Sequence, residues 1–145
     1  MNRMLGIDYG KKRVGLAISD PLGIFATALD TVPTANIIEY LKTYINQNPI
    51  KLFVIGYPMN LNNKPAECAA YVDAFLPRLK KNFPDIPIAL EDERFTSQIA
   101  MRAMIDGGVK KMARREKERV DKISAAIILQ TYMDRPNKED LILKK

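Results

Sequence analysis

The chain has 145 residues, no histidine and a single cysteine, so an imidazole general base, a histidine zinc ligand and an internal disulfide are all excluded. Hydrophobic residues make up 47% of the chain and charged residues 28%, which is typical of a folded domain rather than of a disordered segment. The 23 Lys and Arg residues outnumber the 17 Asp and Glu residues, and the net charge of +6 favours a polyanionic partner, nucleic acid first and an acidic membrane second.

The opening segment predicts three antiparallel strands. Apolar runs at residues 4–7, 14–19 and 24–32 are separated by a Gly-containing polar turn and by the turn Asp20–Gly23. Short connections of this kind join antiparallel neighbours. We therefore expect a three-stranded meander at the start of the fold.

From residue 37 onward, helical and strand patterns alternate. The predicted segments are a helix at 37–45, a strand at 52–55, a helix at 69–83, a strand at 86–90, a helix from Thr96 or Ser97 to Gly107, and a final helix from about Val120 to Met133. Pro77 is expected to kink or shorten the second helix. Pro87 cannot donate a hydrogen bond to a neighbouring strand, so the fifth strand is expected at an edge of the sheet.

This order of elements predicts an α/β fold of the ribonuclease H-like type. With right-handed crossovers, the first three strands form an antiparallel meander, and the fourth and fifth strands add in parallel. The result is a mixed five-stranded sheet covered by helices. We expect a single nuclease domain over residues 1–134 and a loose, charged C-terminal tail over residues 135–145.

Acidic residues stand where the predicted elements end or begin. Asp8 closes the first strand, residues 91–93 are all acidic and follow the fifth strand, and Asp121 lies in the first turn of the last helix. Ligands bind at the carboxyl ends of parallel strands, so these acids are expected at one edge if the last helix also begins there. Clustered carboxylates repel one another, and a divalent cation would offset that repulsion.

Oxygen ligands of this kind select Mg²⁺ or Mn²⁺ over zinc or copper. Two such ions can activate a water molecule and stabilise the leaving oxygen of a phosphodiester. Each acid also has an ordinary alternative role, because Asp8 could be a turn residue and the others could be solvated charges near helix starts. Spacing alone leaves these alternatives open, and only the shared position under one topology favours a metal site.

Basic residues flank the candidate acids on both sides. A basic tripeptide follows Asp8, and the segment 110–119, with six basic and two acidic residues, precedes Asp121. Phosphate contacts from such residues position a nucleic acid without reading its sequence, although a charge run of this kind can also be a solvated loop. The residues expected to bind nucleic acid are Lys11, Lys12, Arg13, Arg94, Lys110, Lys111, Arg114 and Arg115.

The chain shows no pattern of export or of membrane insertion. The apolar stretch before Asp8 is too short for a signal-peptide core, and no apolar run approaches the ~20 residues that cross a bilayer. We therefore expect a cytoplasmic protein without a membrane partner. Its chemistry must use carboxylates, hydroxyls, lysine or arginine, or a metal ion bound by oxygen.

Four segments carry motifs in a fixed order, at residues 6–17, 54–58, 92–97 and 120–130. Together they resemble the YqgF family of Holliday junction resolvases or pre-16S rRNA nucleases, over nearly the whole chain. The resemblance implies a ribonuclease H-like fold and divalent-metal nuclease chemistry in ribosomal RNA maturation. It also implies that Asp8, Glu93 and Asp121 are the catalytic metal ligands, with Asp92 as the substitute if Glu93 points away.

The resulting hypothesis is a Mg²⁺- or Mn²⁺-dependent endonuclease of structured nucleic acid, which processes the 5′ end of precursor 16S rRNA. A Holliday junction resolvase that uses the same site remains an alternative, because recognition of the RNA 2′-hydroxyl has no short motif. A non-catalytic nucleic-acid-binding module on the same fold is a third alternative. An ATPase is less favoured, although Gly6-Ile7-Asp8 resembles the phosphate loop of sugar kinases.

Overall fold

Strand β1 (Arg3–Tyr9) lies inside a mixed sheet in the computed structural model, which describes residues 3–58, 69–92, 114–135 and 142–143. The other strands are β2 (Arg13–Ser19), β3 (Ala26–Pro33), β4 (Ile50–Tyr57), β5 (Ile88–Asp92) and β6 (Ile142–Leu143). The strand order is β3-β2-β1-β4-β5-β6. The pairs β1–β2 and β2–β3 are antiparallel, and β1–β4 and β4–β5 are parallel. The predicted meander and parallel additions are therefore confirmed.

The helices cover both faces of this sheet. They are α1 (Ile37–Gln47), which follows a short 3-10 helix at Thr34–Asn36, α2 (Ala69–Asn82) and α3 (Arg114–Met133). Side chains of α1 and α2 share one apolar cluster with Leu5 and Ile7 of β1. Side chains of α3 share a second cluster with Met4 of the same strand. Successive strand residues point to opposite faces, so the sheet has an α1–α2 face and an α3 face.

Helix α2 runs through Pro77 without ending there. The proline is exposed, whereas Val72, Phe75 and Leu79 are buried against the sheet. Phe75 also stacks on Tyr9 at the end of β1, with ring centroids 4.2 Å apart. Packing of this apolar stripe therefore holds the helix together across a residue that lacks one backbone hydrogen bond.

The final helix begins earlier than the sequence pattern predicts. Helix α3 starts at Arg114 rather than near Val120, so Asp121 lies in its third turn and not in its first. The segment 114–119 consists of Arg, Glu and Lys, which are good helix formers, and its Glu118 precedes Lys122 by four positions, the favourable order for opposite charges. Both features favour a helix. The same run of charges is also typical of a solvated loop, so the sequence pattern does not predict the earlier start.

The end of the chain also differs from expectation. Strand β6 comes from the tail that the sequence predicts to be loose, and it pairs antiparallel with Ile88 and Ala89 of β5. Ile142 and Leu143 are apolar residues within a charged segment, and they form a strand by pairing with the edge of β5. Pro87 lies just before β5, where it needs to donate no hydrogen bond, and its carbonyl accepts one from the Phe53 N–H at 3.0 Å.

The helix predicted from Thr96 or Ser97 to Gly107 lies outside the described residues. Within the described ranges, no helix is both long enough and apolar enough to cross a bilayer.

Candidate active site

Asp8 stands near the carboxyl end of β1, on the α3 face of the sheet. Its side chain is half-buried, and it lies two residues beyond Gly6, which packs on α3. The residue opposite Asp8 on β2 is Gly15. On β4, Ile55 pairs with Ile7, so the next residue, Gly56, lies beside Asp8. Glycine in a strand often marks a close approach of a ligand, and here the positions beside Asp8 on both neighbouring strands carry no side chain.

Gly6 sets the distance between β1 and α3. A Cβ atom at this position would lie 2.8 Å from the Leu129 Cβ and 2.9 Å from the Ala125 carbonyl oxygen. Both contacts are closer than carbon or oxygen atoms tolerate, so only glycine allows the helix this near. Asp8 lies two residues further along the strand, on the same face as this close contact between β1 and α3.

The direction of α3 places position 121 at the same end of the sheet as Asp8. The Gln130 carboxamide accepts a hydrogen bond from the N–H of Ala26, the first residue of β3, at 2.8 Å, and donates one to the Ile24 carbonyl oxygen at 2.9 Å. Ala26 pairs with Ser19 at the end of β2, which lies beside the amino end of β1. Earlier residues of α3 therefore run towards the carboxyl end of β1, and position 121 lies one turn before Ala125.

Glu91 forms an ion pair with Arg135. The side chain is fully buried on the α3 face, and it accepts two hydrogen bonds from the Arg135 Nε, at 2.8 and 3.0 Å, and another from Nη2. These bonds raise the pKa of the Arg135 guanidinium. The sequence pattern groups Glu91 with the candidate ligands, but this carboxylate is already neutralised by a residue that the sequence assigns to the tail.

Asp92 lies on the other face of the sheet. It pairs with Tyr57 at the end of β4, and Tyr57 packs with the cluster on the α1–α2 face. The Tyr57 hydroxyl donates to Asp73 of α2 at 3.0 Å, and burial together with this carboxylate raises the pKa of Tyr57. Alternation along β5 thus separates Asp92 from Asp8 by the thickness of the sheet.

The basic residues fall into two groups. Lys11 and Lys12 are exposed in the turn between β1 and β2, and Arg13 begins β2. Arg114 and Arg115 are the first residues of α3, towards the end of the sheet where Asp8 lies. Glu93, Arg94, Lys110 and Lys111 lie outside the described residues.

A cation site at this edge is chemically consistent with the described part of the chain. Among the side chains that the structure describes, no three acidic or cysteine side chains form a cluster, and Asp8 is the one proposed ligand within that set. Its carboxylate supplies the hard oxygen that Mg²⁺ and Mn²⁺ prefer, and the flanking glycines leave no neighbouring strand side chain to compete. Asp8 therefore offers one oxygen ligand of the kind that a divalent cation takes.

A family model and several named proteins match this chain over most of its length. A family model described as "RuvX: Holliday junction resolvase" matches residues 2–135. A protein of Porphyromonas gingivalis named "Putative pre-16S rRNA nuclease" is 46% identical over 138 residues, which cover 95% of this chain and 100% of that protein. A protein of the same name from Parabacteroides distasonis is 47% identical over 134 residues, covering 92% and 96%.

Among solved structures, T. thermophilus RuvC in complex with a Holliday junction substrate has the same fold. The TM-score is 0.54 at 18% sequence identity, and the match covers 92% of this chain and 97% of that one. At this identity the likeness establishes the ribonuclease H-like fold.

Proposed function

Because this chain belongs to the RuvX family, we propose that it processes the 5′ end of precursor 16S rRNA as a divalent-metal-dependent endonuclease. Membership of this nuclease family makes the chain a hydrolase of phosphodiester bonds. The observation that carries the proposal is the position of Asp8, at the carboxyl end of β1 between Gly15 and Gly56 and facing α3.

The choice of RNA as the substrate rests on the relatives that match this chain over all or nearly all of their own length. The proteins named for pre-16S rRNA are 46% and 47% identical to this chain. These relatives are bacterial, and bacterial ribosomes mature in the cytoplasm, so the proposal includes a cytoplasmic location. The net charge of +6 suits a polyanionic substrate.

We assign the metal site to Asp8, Glu93 and Asp121. Asp8 lies on the α3 face, and the direction of α3 supports a location of position 121 towards the same end of the sheet, whereas Glu91 is held by Arg135 and Asp92 lies on the opposite face. These positions support Glu93 over Asp92 as the third ligand. Mg²⁺ or Mn²⁺ at this site would supply Lewis-acid activation of the phosphodiester and of the hydrolytic water.

The basic residues bind the substrate backbone in this proposal. Lys11 and Lys12 are exposed beside the end of β1, and Arg114 and Arg115 open α3. Arg13, Arg94, Lys110 and Lys111 complete the set by sequence position. Their phosphate contacts hold the RNA at the acidic edge and give salt-dependent affinity.

The central test replaces each proposed ligand by its amide. Asp8→Asn, Glu93→Gln and Asp121→Asn should each lower Mn²⁺-dependent cleavage of a precursor 16S rRNA transcript by about two orders of magnitude or more, as loss of one preorganised electrostatic group does. Asp85→Asn, in an exposed turn before β5, is the matched control and should cleave normally. Full activity of purified Asp8→Asn would refute the assignment. A loss in Asp92→Asn with none in Glu93→Gln would exchange those two residues.

The second candidate function is cleavage of branched DNA. The description of the matching family, Holliday junction resolvase, favours it. Equal concentrations of a four-way DNA junction and of the precursor transcript should be offered to the enzyme with Mn²⁺, and both products measured. We expect the RNA to be cut faster, and faster resolution of the junction would make DNA the substrate.

A further inference from the structure

Thr34 ties the turn between β1 and β2 to the end of β3. Its hydroxyl donates to the Gly10 carbonyl oxygen at 2.7 Å, and its backbone N–H donates to the Lys12 carbonyl oxygen at 3.0 Å. One residue thus binds the turn at two points, on both sides of Lys11. These bonds join segments that are more than 20 residues apart in sequence.

The turn itself is tightly closed. A Cβ atom at Gly10 would lie 2.6 Å from the Arg13 carbonyl oxygen, so the backbone folds back on itself with no room for a side chain. Lys11 and Lys12 are exposed on this turn, three and four residues beyond Asp8. Adjacent like charges repel, and bonds that fix the backbone beneath them resist that repulsion.

We infer that Thr34 is a positioning residue, which holds the turn so that Lys11 and Lys12 receive the phosphate backbone beside Asp8. This inference rests on the proposed function, since it presumes that the two lysines contact the substrate. Thr34 itself touches neither the substrate nor the proposed cation. Its contribution is preorganisation, because a turn already held in one conformation loses less freedom when it binds.

The salt dependence of binding separates positioning from a general structural role. Each lost phosphate contact lowers the slope of log affinity against log salt concentration by about 0.7 to 0.9. A variant that merely unfolds in part loses the same fraction of active protein at every salt concentration, and its slope stays that of the wild type. A displaced turn changes the slope.

The experiment measures binding of a precursor 16S rRNA transcript at several salt concentrations, without divalent cations so that the RNA stays intact. Thr34→Val keeps the branched shape and removes the hydroxyl, and Thr34→Ala removes it if the valine variant does not fold. We expect affinity at low salt to fall about two- to tenfold, the equivalent of one hydrogen bond, with a reduced slope. Thr34→Ser should restore both values, and Thr27→Val, exposed on β3, is the matched control.

The double variant Lys11→Gln/Lys12→Gln distinguishes a failure of the inference about Thr34 from a failure of the proposed function. It should lower the slope by about 1.5, and Thr34→Val should lower it no further in that background. A reduced slope in the lysine variant with a wild-type slope in Thr34→Val overturns the inference and leaves the proposed function intact. An unchanged slope in the lysine variant removes the turn from the substrate site, and the inference with it. A further fall in the combined variant would also overturn it.

Discussion

Asp20 organises the loop between β2 and β3 without being buried itself. Its Oδ1 atom accepts hydrogen bonds from the N–H groups of Ile24, at 2.6 Å, and Phe25, at 3.0 Å. Gly23 takes a positive φ of 73°, which suits glycine at a turn. The loop exposes 76% of Leu22 and 67% of Phe25. Polar contacts rather than apolar burial therefore define its conformation.

These hydrogen bonds give a prediction about pH. The Phe25 N–H, with further bonds from Ile24 and Gly23, lowers the pKa of Asp20 below its ordinary value of 3.8. A carboxyl whose pKa is lowered by folding stabilises the protein above the unfolded value, and the stabilisation is lost as the pH falls through the folded value. Asp20→Ala should therefore melt at a lower temperature than wild type at pH 7, and the gap should close in acid.

Thermal unfolding followed by circular dichroism from pH 7 to pH 2 would measure this gap. Asp85→Ala removes a carboxylate from another exposed turn and serves as the control for a loss of surface charge. A gap for Asp20→Ala that is as large at pH 2 as at pH 7 would contradict the electrostatic origin of the effect.

At the scale of the elements, the Glu91–Arg135 pair fastens β5 to the end of α3. Glu91 is 0% exposed, whereas the Arg135 side chain is 41% exposed, so water reaches only one partner. Removal of one member of such a pair leaves an uncompensated buried charge, which costs more than the intact pair contributes. A single substitution in this pair is therefore expected to destabilise the contact between β5 and the end of α3.

Arg135→Met should lower the free energy of unfolding by about 2–3 kcal/mol, less than the ~3–5 kcal/mol lost when a fully buried pair is broken, because Arg135 is partly solvated. The double variant Glu91→Leu/Arg135→Met should recover most of that loss, since no charge is then buried. Urea denaturation of the three proteins measures both values. A double variant less stable than Arg135→Met would show that the carboxylate does not depend on its partner.

Local sequence patterns predict the helices and strands more accurately than they predict where each one begins and ends. Continuous apolar runs that end at turn residues predict β1, β2 and β4, because a strand covered on both faces is apolar at nearly every position. The start of α3 escapes prediction, because the charges of 114–119 suit both a solvated loop and a helix. Strand β6 escapes it too, since two apolar residues form a strand only where β5 offers an edge.

At the scale of the whole molecule, the topology is predictable and the partnerships within the site are not. Asp8 can be placed at the rim from the end of one apolar strand and the carboxyl-end rule. The engagement of Glu91 depends on Arg135, which lies 44 residues away in sequence and reaches it only through the path of α3. No spacing within residues 91–93 reveals which acid faces which side until the register of β5 against β4 is known.

The sheet separates two apolar layers, and β1 is covered by both. Its amides are bonded to strands on either side, so they have no exposed edge from which to fray. Such amides exchange their hydrogens with solvent deuterium only when the protein opens globally. Asp8, which we place at the centre of the chemistry, thus lies on one of the last segments of the protein to unfold.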